Sequence, residues 1–276
     1  MSAITEAAPA KLPVWRTVGE SYAIWFKELP ELIRISWVWL LIMTPIVALF
    51  MWWQAPALME MIVNARAGKP DPNPGVTLLT QALNTIILLP ILSSIAVAWH
   101  RLLLRGEHVS GLYIRLDSVV IGYAVLAFLI GLLPSVPAYL GQIYQALTQR
   151  PGATEIDTGA LMVTGSGSIV TFVALIFAFR LIMVLPAKAL GRDLSFGAAW
   201  AATRRNTWRL FWGHMICLLP FGLIAAGIGF WLSFAQPSRA VAATFWTVQS
   251  LLGALFGMVG VGFLSLAYRH FFERPA

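Results

Sequence analysis

The stretch IVTFVALIFAFRLIMVLPAKAL, residues 169–190, decides what kind of protein this is. It carries two charges, Arg180 and Lys188, in an otherwise almost wholly apolar run. About 20 predominantly apolar residues are what an α-helix needs to cross the hydrocarbon of a bilayer. Five other segments meet the same requirement: 33–53, 79–99, 118–140, 210–231 and 245–267. The six together predict an all-α, polytopic membrane helix bundle, a single membrane domain over residues 1–276. In the quoted stretch the apolar pattern can also begin as early as Leu161, through TGSGS at 164–168. Pro45, Pro90, Pro134, Pro137, Pro186 and Pro220 lie in or close to five of the six spans, where neighbouring helices can satisfy the carbonyls a proline frees.

Composition agrees. Of 276 residues 59% are hydrophobic and 11% charged, with a mean hydropathy of +0.77. A soluble domain carries about 25% charged residues, so this chain cannot cover a water-facing surface. Twelve tryptophans and sixteen phenylalanines suit membrane interfaces. The single cysteine, Cys217, rules out an intramolecular disulfide and any multi-cysteine metal site. A net charge of +7 points to anionic lipid and to orientation in the bilayer, not to nucleic acid.

The basic residues set the direction of threading. The N-terminal segment, the 2–3 loop, the 4–5 loop and the C-terminus share fourteen lysines and arginines. The other side holds four: Arg66, Lys69, Arg150 and Arg239. Basic residues in short loops stay in the cytoplasm, so both termini are expected there. The first apolar run starts near residue 33 and is long enough to span, which predicts an uncleaved signal anchor.

Two amphipathic helices are expected at the cytoplasmic surface. Over 13–32, Val14, Trp15, Val18, Tyr22, Trp25, Phe26, Leu29 and Leu32 fall on one side at helical spacing, with Arg16, Thr17, Glu20, Ser21 and Lys27 opposite. Such a helix lies in the interface or packs across the mouth of its own bundle. Over 195–209, Phe196, Trp200, Thr203 and Thr207 share a face; Asp193 or Ser195 caps the start and Asn206 ends it. Arg204, Arg205 and Arg209 are candidate contacts for anionic head groups on the cytoplasmic face. The pairs of spans end in AWHRLLLRGE (98–107) and AYRHFFERPA (267–276), compatible with an internal repeat or with an ordinary aromatic–basic edge.

Motifs of chemistry are missing. His100, His108, His214 and His270 form no H-E-x-x-H pair, and no nucleophile elbow or phosphate loop occurs. No catalytic, cofactor-binding or metal-binding residue is therefore assigned, and no Asp or Glu lies within a span to serve as a proton relay. Gln81 and Asn84, three apart, share a helix face and either bond to another helix or line a polar path. Gly253 and Gly257 allow close helix contact within the chain or in a homo-oligomer. Arg180 lies eight residues, about 12 Å, before Lys188, and so reaches into the cytoplasmic half of the hydrocarbon. It either bonds carbonyls loosened by Pro186 or forms an anion or lipid-phosphate site; with Gln81 and Asn84 it makes the candidate polar site.

The run RLIMVLPAKALGRDLSFGAAWAATRRNTWRLF, residues 180–211, resembles a pattern in bacterial YciC-like membrane proteins and in the membrane domain of some glycerophosphodiester phosphodiesterases. Arg180, Pro186, Ser195, Trp200, Arg204, Asn206 and Trp208 are the matching positions. The resemblance implies a six-span protein of the bacterial inner membrane. No soluble phosphodiesterase domain follows the sixth span, so that activity is not expected. The function expected from all this is non-enzymatic: organising or supporting other membrane components. The alternative is a transporter or permease-like protein for a lipid or small solute.

Overall fold

The computed structural model describes residues 11–67, 69, 71, 74–148, 158–235 and 237–273; Arg150 and Arg274 of the charge count lie outside them. Among the described residues there are nine α-helices and no strand: α1 (Val14–Lys27), α2 (Leu29–Arg66), α3 (Pro74–Arg105), α4 (Ser118–Thr148), α5 (Thr158–Leu181), α6 (Val184–Ala189), α7 (Phe196–Ala202), α8 (Thr207–Ala235) and α9 (Arg239–Phe272). Five of them, α2, α3, α4, α8 and α9, are long and apolar enough to cross a membrane. The chain is thus a multi-pass membrane protein. Its outward surface says the same, since Leu133, Leu140, Leu219 and Leu223 are all exposed on crossing helices.

At the centre stands α9, packed against α1, α2, α3, α6 and α8. Small residues let it come close. A methyl group on Gly213 of α8 would sit 2.3 Å from Phe263, and one on Gly260 of α9 would sit 2.7 Å from His214. With no water to drive association in hydrocarbon, such close backbone approach is a main source of helix–helix attraction. Gly253 works the same way, since a methyl group there would sit 2.9 Å from Phe221 of α8, while one on Gly257 would meet no neighbouring helix or side chain within 4 Å.

The structure departs from the expected single span over 169–190. Helix α5 starts earlier, at Thr158, and ends at Leu181; the chain turns at Ile182–Met183 and restarts as the six-residue α6. Its apolar helical part, Gly165–Leu181, is shorter than the five others. Pro186 is the physical reason. It has no N–H to offer residue 182, and its ring would collide with that carbonyl. The Ile182 oxygen instead accepts from Leu185 N, at 3.0 Å. Pro186 then occupies the first turn of α6, where no backbone donor is needed. By contrast Pro45, Pro90, Pro134, Pro137 and Pro220 stay inside unbroken helices.

The two amphipathic segments also differ from expectation. The first divides at Glu28, with Pro30 in the first turn of α2. Helix α1 packs against α8 and α9, where Tyr22 Oη donates to Cys217 O (2.9 Å) and Trp25 Nε1 to Leu255 O (3.0 Å). Its buried face is turned from the expected one: Thr17 and Ser21 are buried beside Val18 and Trp25, whereas Trp15 and Phe26 are 77% and 66% exposed. Burial of two hydroxyls is tolerable because each bonds its own helix, Thr17 to Pro13 O (2.9 Å) and Ser21 to Thr17 O (2.7 Å). The second segment is helical only over α7, from the Ser195 cap to Ala202. Arg205 then takes a left-handed conformation (φ 68°), and α8 begins at Thr207.

Candidate functional site

Arg180 stands in the last turn of α5 and is 8% exposed. Three residues earlier, on the same face, is Phe177. Helix α7 folds back over this pair and lays Trp200 on it: the indole stacks on Phe177 with ring centroids 5.6 Å apart, and the Arg180 guanidinium lies 3.5 Å from the Trp200 ring centroid. The guanidinium also donates from Nη2 to the Trp200 carbonyl and from Nε to Thr203 Oγ1, at 3.3 Å. Thr203 in turn donates to Ala199 O at 2.8 Å. The cation thus sits at the C-terminal end of α7, among carbonyls that carry the negative end of the helix dipole. It also gains about 0.5–2 kcal/mol from the indole face. A charge that is expensive in hydrocarbon is here matched by backbone oxygen and an aromatic face.

This clasp is one of several at the basic end. Arg101 Nε donates to Ala189 O (2.7 Å) and Arg105 Nη2 to Leu190 O (2.5 Å), which ties the end of α6 to the end of α3. Arg269 donates to Leu103 O, and Arg209 Nη1 to Leu12 O at 2.7 Å. Five arginines therefore bond main-chain oxygens at this end, mostly of helix termini whose carbonyls lack an intrahelical partner. Asn206 completes the tie to the chain start by accepting the Leu12 N–H, 2.9 Å.

The other expected site residues are elsewhere. Gln81 and Asn84 lie about 30 and 26 Å along α3 from Arg101, in the opposite half of the bundle, and bond neither Arg180 nor α7. Arg204 and Arg205 are exposed on the turn before α8, while Arg209 is partly buried against Leu12. Among the described residues no group of three or more His, Cys, Asp or Glu is placed to hold a metal.

Two polar arrangements escaped the sequence. His100, one of four histidines that belong to no motif in the sequence, is fully buried between α9 and α4. Its Nδ1 lies 2.7 Å from Ser265 Oγ and its Nε2 3.2 Å from Tyr123 Oη. Ser265 Oγ also lies 3.1 Å from Val261 O, and each imidazole nitrogen has one hydroxyl partner, so both are bonded in either tautomer. These bonds tie α3, α4 and α9 together. Asp117, just before α4, accepts from Val119 N (3.1 Å) and Val120 N (3.0 Å) and pairs with Arg115. Burial pushes its carboxyl up, but the Val120 N–H, the Arg115 guanidinium and the Val119 N–H outweigh that and hold it below the usual range. An Asp before a strongly apolar run was the available signal for this cap. For His100 no signal existed, since Ser265 is 165 residues away.

Compared with known proteins, the chain matches no family model, no curated protein and no solved structure.

Proposed function

We propose that the chain is a six-span protein of the bacterial inner membrane, both ends in the cytosol, that organises or supports other membrane components and catalyses no reaction. The reading counts α5 as the sixth crossing. Its support is that α5 packs back against α4, a methyl group on Gly167 standing 3.4 Å from Pro137 O, and that Arg101 and Arg105 then hold α6 at the end of α3. An even number of crossings puts the arginine-rich end on one side, where basic loops stay in the cytosol. The YciC-like resemblance over 180–211 belongs to the same proposal.

One observation carries the role. Arg180, in the last turn of α5, is closed in by Trp200, Thr203 and Phe177 and not set in a chamber with Gln81 and Asn84. That favours a structural purpose over a solute path. The surface left for partners is the exposed face of α1, with Phe26 at 66% and Trp15 at 77% exposure, together with anionic lipid around Arg204 and Arg205. A photo-crosslinking residue at Phe26 should give covalent adducts with one identifiable membrane protein in intact membranes, lost in Ala23→Glu. Adducts with lipid alone, alongside solute uptake by proteoliposomes that Arg180→Met abolishes without lowering stability, would replace this reading by the transporter.

A further inference from the structure

We infer that the groove between the starts of α1 and α8 is a binding site for one phospholipid with an anionic head group. This rests on the membrane reading above, with the arginine-rich end at the head-group level. The groove, about 830 Å³, is walled by Pro13, Trp15, Trp208, Arg209, Trp212 and Ile216. That volume falls in the ordinary range for a ligand site of about 300–1,000 Å³. Its three indoles are far from buried: Trp15 is 77%, Trp208 55% and Trp212 53% exposed. Tryptophan with an apolar body and one N–H suits the depth where acyl chains meet ester and phosphate oxygens.

Shape and charge distinguish a lipid from other occupants. Downward from the groove, Trp208, Trp212, Ile216, Leu219, Leu223 and Phe230 recur at spacings of three, four and seven along α8, so they form one stripe. Four of the apolar side chains on that stripe, Trp212, Leu219, Leu223 and Phe230, are 53–68% exposed. An acyl chain lying on the stripe would continue directly out of the groove; a soluble ligand or a free phosphate has no use for it. At the upper end Arg209 uses Nη1 on Leu12 O and has no other bond among the described residues, which leaves Nε and Nη2 for a phosphate. Arg16 lines the same groove, and its side chain is 78% exposed even while paired with Glu20. Pro13, the N-cap residue before α1, gives no side-chain cap, so the first N–H groups beside Arg16 add to the positive field. The head group therefore sits at Arg209 and Arg16, with the tails along α8.

The test uses the full chain in phosphatidylcholine vesicles containing a fixed fraction of brominated lipid, which quenches nearby tryptophan. Brominated phosphatidylglycerol should quench the protein more than brominated phosphatidylcholine. The excess should disappear in Trp208→Phe/Trp212→Phe and fall about fivefold in Arg209→Gln, the effect of one arginine on anionic lipid near a surface. Trp53→Phe, which removes an exposed indole on α2 away from this groove, should leave the excess intact. Equal quenching by the two lipids in the wild type, or an excess unchanged in both groove variants, overturns the site while leaving the membrane reading standing. Loss of the excess on adding inorganic phosphate also overturns it, as a free-phosphate site. Absence of quenching by either lipid would instead remove the membrane reading beneath it.

Discussion

Replacing Arg180 by methionine keeps most of the side chain's length and removes only the clasp on α7. Three interactions go. The charge-assisted bond to the Trp200 carbonyl is worth about 1.5–3 kcal/mol. The longer bond to Thr203, at 3.3 Å, adds about 0.5 kcal/mol. The guanidinium–indole contact at 3.5 Å adds about 0.5–2 kcal/mol. Midpoints sum to about 4 kcal/mol. Against this stands relief from holding a cation in an apolar helix, at most about 3 kcal/mol at mid-membrane and about 2 kcal/mol near a helix end. The net loss is about 2 kcal/mol. Lysine keeps the charge but loses the planar fork and most of the stacking, so its loss rises to about 3 kcal/mol. The expected order of stability is therefore Arg, Met, Lys. Hydrogen exchange on the full chain in micelles reads this locally: amides of residues 196–202 should exchange about 30-fold faster in Arg180→Met, with α9 unchanged. A lysine variant as stable as the wild type, or α7 amides indifferent to Met, would refute the clasp and revive an anion site that any cation can serve.

Further outcomes follow from the packing. Gly213→Ala and Gly260→Ala place a methyl 2.3 Å from Phe263 and 2.7 Å from His214, and each should destabilise by about 1–3 kcal/mol in thermal melts; Gly257→Ala, with nothing within 4 Å, should be neutral or slightly stabilising. Tyr123→Phe should cost about 1–3 kcal/mol by leaving His100 Nε2 without its hydroxyl partner, and adding His100→Phe should cost less than the two single losses summed. Asp117 gives a pH dependence of known sign. Its folded carboxyl lies below the unfolded value of about 3.9, so its contribution is fully present above that value and is lost as pH falls through the folded one. Melts of Asp117→Asn against wild type should therefore differ at neutral pH and converge in acid.

The helical, membrane-crossing character of the chain was legible because hydrocarbon imposes a length and a polarity that composition cannot disguise. Five helices long and apolar enough to cross appear where five of the six apolar runs lie. What sequence could not supply were relations between distant residues. Pro186 was visible, but its consequence depended on α6 having α3, α4 and α9 to pack against. Other prolines with equal local power to break a helix are carried through unbroken ones. Arg180 stood out in the sequence as a charge in an apolar run, with carbonyls expected as one possible partner. The carbonyl it meets is Trp200 O, twenty residues on, not one loosened by Pro186. For α1 the apolar stripe described the side chains but not their partners. With α8 on one side and α9 on the other, the buried face shifts to take in Thr17 and Ser21 and leaves Trp15 out. Basic residues counted for orientation turned out to have a second use in holding helix ends, which no count reveals.

The threading itself is open to one direct measurement. Cys217 is 4% exposed, so single cysteines introduced elsewhere can be labelled against a quiet background. In intact cells a membrane-impermeant maleimide should react with Lys69→Cys and Ala240→Cys. It should spare Glu107→Cys and Arg192→Cys until the membrane is opened. Reaction of Glu107→Cys and Arg192→Cys from opposite sides would mean that α5 does not cross, and the six-span account with its cytosolic arginine end would be wrong.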